Sequence, residues 1–224
     1  MVARVATAHP PVEWDGATLR TTYKDTYQAR RDEFANLARD GDWPALLARL
    51  AEWPSFINVW RPGGTSWYTP IHQAAWHGAD ASVVERLLAY GPWLTLRTAT
   101  GDRALDIALR GGHTHLTGLL TPVIRNPVPT DVLHALRRHL HEVIRGRVAH
   151  LVDAERLRLP EPDVLTELET PDMWFAVPGM YGGFRCVLEG RELKVDSWIR
   201  VVGGSGETHR ITADGAVLTD HGFA

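Results

Sequence analysis

His141-Glu142-Val143-Ile144-Arg145 opens like the zinc-protease signature H-E-x-x-H, in which two histidines one helical turn apart hold the metal and the glutamate is the base. Arginine at the fifth position removes the second ligand, so this stretch is not read as a metal centre. His134 and His141 are seven apart and share a helical face. With a third side chain they would suffice for a metal, but a solvated or packed face is the simpler reading. Ser205 lies in Gly203-Gly204-Ser205-Gly206-Glu207. A nucleophile elbow needs G-x-S-x-G between a strand and a helix. Glu207 replaces the last glycine and a strand pattern follows, so a hairpin turn is expected. The same loop lacks the G-K-[ST] element of a P-loop. Cys186 is the single cysteine and falls in a strand pattern, where a buried, inert thiol is expected. Tyr181, Arg200 and His209, with Asp196, Arg210 and Asp214 near them, could gather at one sheet edge as a small-ligand site. They could equally be the polar face of a half-buried sheet. No catalytic set emerges, and no cofactor or metal is called for.

The elements that must position these residues belong to an ordinary globular chain. It has 224 residues, 44% hydrophobic and 23% charged. That excludes wholesale disorder and suggests one large domain or two small ones. Net charge is -3, so no global basicity invites nucleic acid or an anionic membrane. One cysteine permits no internal disulfide framework. No apolar run is long enough to span a bilayer, and Met1 to Trp14 lack the apolar core of a secretory signal. A cytoplasmic protein is expected. Only Lys24 and Lys194 of the 24 basic residues are lysine, an arginine bias typical of GC-rich genomes, and a bacterial source is expected. Nine tryptophans is high for this length. Most are expected in the core, and any exposed ones would mark binding.

Residues 1–30 form a leader. His9-Pro10-Pro11 interrupts any element. A capping helix is expected from Thr18, with Tyr23 and Tyr27 on one face. Residues 31–125 then hold an internal repeat. Ile71, Ala74 and Gly78 are followed, 34 residues on, by Leu105, Ala108 and Gly112, and a weaker copy is Phe34, Leu37 and Gly41. Each copy is followed by a second helical pattern: Leu46, Leu47 and Leu50; Val83, Val84, Leu87 and Leu88; Leu116, Leu119 and Leu120. Paired short helices at this period are a solenoid signature.

Thr69-Pro70-Ile71-His72-Gln73-Ala74-Ala75 resembles the ankyrin hallmark T-P-L-H-x-A-A. Val83-Val84-Glu85-Arg86-Leu87-Leu88 with Gly91 resembles its V-V-x-x-L-L-x-x-G. Gly101 through Ala108, with Gly112-His113, resembles G-x-T-A-L-D-I-A-x-x-x-G-H. Arg103 departs from the usual threonine, and Phe56 to Trp67 is a long finger containing Pro62-Gly63-Gly64. The resemblance implies stacked helix pairs with projecting fingers and a concave binding face. It also implies that His72 ties backbone between repeats and that His113 is structural. On that register the concave face presents Trp60, Arg61, Trp67 and Tyr68 from one finger, and Gln73, Trp76 and His77 from the inner helix. The next finger presents Arg97, Thr98, Thr100, Asp102 and Arg103, with Arg110 after it. So short an array needs support from its flanks. The leader is expected to cap one end, and the segment after Leu120 the other.

Residues 126–224 change character. Val132, Leu133, Leu136, Leu140, Val143, Ile144, Val148 and Leu151 recur at helical spacing, predicting a long helix from Thr130 or Asp131 that could pack on the last repeat. Residues 160–172, with three prolines and several acids, read as a linker. Strands are expected at Met173 to Val177, Gly183 to Gly190, Leu193 to Val202, and in a closing hairpin around Asp214-Gly215. This small antiparallel sheet of four or five strands should pack on the long helix. The expected class is therefore α+β: a short α-solenoid, a long helix and a small antiparallel β-module.

Three functions fit. The first is a protein-interaction adaptor whose concave face holds a protein partner or the β-module itself, with no nucleic acid and no membrane involved. The second is an enzyme or small-ligand binder with a site between the helical array and the β-module, using Tyr181, Arg200 and His209. The third is a bacterial immunity or antitoxin protein. A closed, polar pocket at that junction, with histidine and carboxylate converging, would favour the second; an open aromatic groove would favour the first.

Overall fold

The computed structural model describes residues 10–200 and 204–222. The chain opens with β1 (Val12–Trp14) and a 3₁₀ turn at Arg20–Thr22. Six helices follow: α1 (Asp25–Asp40), α2 (Trp43–Glu52), α3 (Pro70–His77), α4 (Ala81–Leu88), α5 (Ala104–Arg110) and α6 (Thr117–Leu120). Then come α7 (Thr130–Ala154) and five strands: β2 (Asp172–Val177), β3 (Gly182–Glu189), β4 (Glu192–Ile199), β5 (Ser205–Ile211) and β6 (Ala216–Gly222). The class is α+β: a helical region, a long helix, and a six-stranded, mostly antiparallel sheet.

The short helices start and stop on local chemistry. Asp42 accepts a hydrogen bond from the Ala45 N–H at 3.2 Å and caps α2, with Pro44 in its first turn. Gly41 (φ 72°) ends α1 in the left-handed conformation that glycine adopts without strain. Thr69 and His72 cap α3 reciprocally, with Oγ1 and Nδ1 2.7 Å apart. Asp106 accepts from the Arg103 N–H at 2.9 Å and performs that task for α5. Helices α1, α3 and α5 contact one another in turn, and so do α2, α4 and α6. Between these two layers lie Phe34, Leu46, Leu50, Ile71, Leu87, Ile107 and Leu116. Burial of each such side chain contributes about 1.5–3 kcal/mol.

The sheet runs in sequence order, β1 to β6. Its hairpins arise from alternation: Phe184, Cys186 and Leu188 on β3 and Leu193, Val195 and Ser197 on β4 are buried on one face. Gly190 (φ 64°) lets the β3–β4 turn close where Glu189 pairs with Glu192. Helix α7 lays Val132, Leu136, Leu140, Ile144, Val148 and Val152 into the sheet's core. It bends at Val148, whose φ/ψ of -141°/33° is not helical.

Four expectations change. The leader does not form a helix from Thr18. It supplies β1, which pairs parallel with β2, Trp14 opposite Phe175. Helix α1 starts only at Asp25, after the 3₁₀ turn at Arg20–Thr22 and an extended Tyr23 and Lys24. The sheet accordingly has six strands rather than four or five. Residues 160–172 are not a linker: Pro162–Thr166 form a 3₁₀ turn in which every residue is buried. Its prolines rigidify a packed connection rather than a loose one. Helix α7 packs on the sheet, not on the last helix pair. Val201, Val202 and Gly203 lie outside the described residues. Among those described, no helix is long and apolar enough to cross a membrane.

Two cores coexist, and their boundary does not follow the chain. Trp60, Trp93 and Leu96, from the loops between helices, belong with Trp14 and the sheet's own core residues.

Candidate binding groove

The segment after α7 clamps those loops to the sheet. The Glu167 carboxylate accepts from the Leu94 and Thr95 N–H groups at 3.0 and 3.1 Å and from the Thr95 hydroxyl at 2.7 Å. Burial pushes this carboxyl's pKa up, although those bonds oppose the rise. The Arg158 side chain, 3% exposed, donates to the Arg97 carbonyl at 2.6 Å and to Glu161 at 2.5 Å. Its guanidinium lies 4.6, 4.8 and 5.1 Å from the rings of Trp60, Trp67 and Trp14. Three tryptophans from separate segments thus enclose one cation.

Trp14, Trp60 and Trp93 line a groove of about 950 Å³ between the helical region and the sheet edge. Trp14 stacks on Trp93 at 5.9 Å and tilts against Trp60 at 6.0 Å. Their indole N–H groups are turned inward: Trp14 Nε1 donates to the Arg158 carbonyl at 2.8 Å, Trp60 Nε1 to the Ala17 carbonyl at 3.0 Å. The accessible walls are half-buried Tyr23, Tyr27 and Tyr90 on one side and Trp174 with Tyr181 on the other. Trp174 stands on the sheet's outer face, stacked on Trp198 at 4.6 Å. That stack requires Gly183 between the two rings. A Cβ there would lie 2.7 Å from Trp174 and 2.2 Å from the Phe175 carbonyl oxygen. Gly183 therefore serves ring packing.

Two carboxylates border the groove. Asp15 accepts from the Arg31 guanidinium and the Tyr23 hydroxyl, and Arg31, fully buried, also donates to the Trp60 carbonyl at 2.6 Å. Burial raises the pKa of both Tyr23 and Tyr27, so their hydroxyls stay neutral. Glu13 is exposed, opposite Trp174 across the β1–β2 pair. Among the described residues it has no salt-bridge partner, and no lysine, arginine or histidine lines the groove. The site can stack, bury apolar surface and attract positive charge. It holds no paired nucleophile and base.

The residues singled out from the sequence scatter. Of the concave-face set, Trp60 and Thr98 are buried, 1% and 4% exposed, and so present no surface. Trp60 is covered because its loop packs into the sheet's core, and Thr98 Oγ1 accepts from the Asp102 N–H at 3.2 Å within its own turn. Trp67 (φ 57°) packs half-buried on Arg158, and Arg97 donates to the Gly101 carbonyl at 2.9 Å. Arg61 pairs with Asn36 and Asp32 on α1. Tyr68, Gln73 and Asp102 are half-buried, as is Arg103, and Thr100 is exposed. His77 donates to the Arg39 carbonyl at 2.8 Å, and Arg110 pairs with Asp102. Trp76 is 59% exposed, its ring 6.4 Å from Tyr68.

Of the ligand set, Tyr181 lines the groove, 74% exposed with φ 51°. Arg200 and His209 do not. His209 pairs with Val195 whereas Gly183 pairs with Trp198, which puts His209 about 10 Å further along the sheet and two strands from β3. It faces Glu207, with Nε2 3.9 Å from the carboxylate, and Glu207 in turn meets Arg147 of α7. Ser205 accepts from Arg147 at 3.1 Å. His141 donates to the Pro160 carbonyl at 2.9 Å while His134 is exposed, so they share no site. Among the described residues, no group of three or more histidines, cysteines and carboxylates is placed to hold a metal. Cys186 is buried, which pushes its thiol pKa up to about 12.

No protein-family model matches the chain, and no curated protein matches it either.

Proposed function

We propose that this chain is an interaction module that holds a protein partner in the junction groove. The observation that carries the reading is the groove itself: open, walled by tyrosine and tryptophan, and without converging histidine and carboxylate. Tyrosine and tryptophan dominate interface energetics because they bury much area at small entropic cost. On this reading the helical region is a short ankyrin-type array. Its support is the 34-residue spacing of the motifs, the two layers of helices, and His72, whose Nε2 donates to the Leu96 carbonyl at 3.1 Å in the next loop. The array's loops hold the chain's own sheet, and the partner docks beside them.

The test is affinity capture with full-length protein from its native lysate, comparing Trp174→Ala with Trp76→Ala. A stoichiometric partner lost with Trp174→Ala and kept with Trp76→Ala supports the groove. The reverse pattern assigns binding to the exposed Trp76–Tyr68 face, the specific observation that favours a second surface. Retention by both variants refutes both surfaces. An immunity protein would be one instance of the adaptor, with a toxin as the captured partner.

A further inference from the structure

We infer that the segment bound in this groove is a cationic peptide, with an arginine or lysine between apolar residues. The inference rests on the groove being a binding site and goes beyond it by assigning the partner's chemistry.

Charge complementarity points to the occupant. Among the described residues, three arginines near the groove are already engaged; Lys24, beside Tyr23 in sequence, is exposed with no salt-bridge partner. Arg31 is spent on Asp15, the Tyr23 hydroxyl and the Trp60 carbonyl. Arg30 lies 3.7 Å over the Trp53 ring. Arg185, opposite Trp174 on β3, is held bidentately by Asp172 at 3.0 and 2.6 Å. Glu13 is left exposed beside Trp174. A carboxylate next to an aromatic face is the pairing that receives guanidinium or ammonium, since the ring quadrupole and the carboxylate attract the same charge.

A peptide, rather than a small free cation, follows from the groove's size and edges. About 950 Å³ is at the upper end for small-molecule sites, and most of the lining is apolar. Its wall includes β1, an edge strand whose second side pairs with no described strand. An extended peptide can satisfy that edge through its main chain while its side chains fill the groove.

The test is selection of random linear peptides on the immobilised full-length chain, followed by calorimetry of the selected peptides. The expected result is enrichment of arginine or lysine flanked by apolar residues, with affinity falling as salt rises. Glu13→Gln should weaken binding about tenfold, the size of one hydrogen bond to a charged group. Glu13 is exposed, so the variant should keep the circular dichroism of the parent. Peptides that bind, need Trp174, but carry no positive charge or ignore Glu13→Gln would overturn the inference and leave the groove reading standing. Selection of no peptide, or binding indifferent to Trp174→Ala, would overturn both. Selected sequences reproducing the chain's own Val2-Ala3-Arg4-Val5 would assign the groove to this chain's leader and overturn the proposal of a separate partner.

Discussion

Replacing Arg158 by methionine should be among the most damaging single changes in this molecule. Methionine keeps much of the volume but removes the charge. The guanidinium is 3% exposed, bonds Glu161 and the Arg97 carbonyl, and sits among Trp14, Trp60 and Trp67. Without it, the Glu161 carboxylate, at 12% side-chain exposure, loses its ion-pair partner. Breaking one side of such a pair costs about 3–5 kcal/mol. Against a total stability of about 5–15 kcal/mol, that is a large fraction. For a chain of this size it corresponds to a fall of about 10 °C in the unfolding midpoint. Burial lowers the Arg158 pKa, so the charge is itself costly to bury. Neutralising both ends, Arg158→Met with Glu161→Leu, should therefore recover much of the loss. Urea unfolding of the parent, the single and the double variant, followed by tryptophan fluorescence, measures all three. A loss below about 1 kcal/mol in the single variant would refute the clamp. So would a double variant no better than the single.

Two further outcomes follow from particular residues. Gly183→Ala should cost about 1–3 kcal/mol, because the added methyl meets Trp174 and the Phe175 carbonyl; it should also reduce the near-ultraviolet dichroism of the Trp174–Trp198 stack, and an unchanged spectrum would contradict that packing. His72 is fully buried, and burial lowers its pKa to about 4, below its ordinary 6.5. The unfolded chain therefore binds the extra proton first, and stability falls as pH drops from 6.5 toward 4, by about 3 kcal/mol from this group. Urea midpoints at pH 7 and pH 4.5 should show a smaller drop in His72→Gln than in the parent, and equal drops would refute the assignment.

Much of the fold was legible locally. The apolar period of α7 was readable because one helix face repeats every three to four residues and meets a continuous core. The β3–β4 and β5–β6 hairpins were readable because alternation and the Gly190 and Gly215 turns sit side by side in sequence. The paired short helices form where the 34-residue spacing put them. The candidate site was far less legible. Tyr23 and Tyr27 are legible as a helical-face pair and Tyr181 as a member of the sheet-edge ligand set, but Glu13, Tyr90 and Trp174 carry no motif. For Trp60 and Trp67 the sequence leaves a partner and the chain's own β-module open as the cover, since a loop tryptophan looks the same in either case.

From the sequence alone came the element types of the repeats, the long helix and the hairpins, and a helical first half followed by a sheet-rich second half. Those depend on periodicities and turn chemistry spanning a few residues. Tertiary structure alone decided that Val12–Trp14 pairs with Met173–Phe175, that Pro162–Thr166 is packed, and that loop tryptophans close around Arg158. A three-residue strand is too short to show a period, and its partner lies some 160 residues away. The groove exists only because segments distant along the chain meet there, and no local pattern encodes such a meeting.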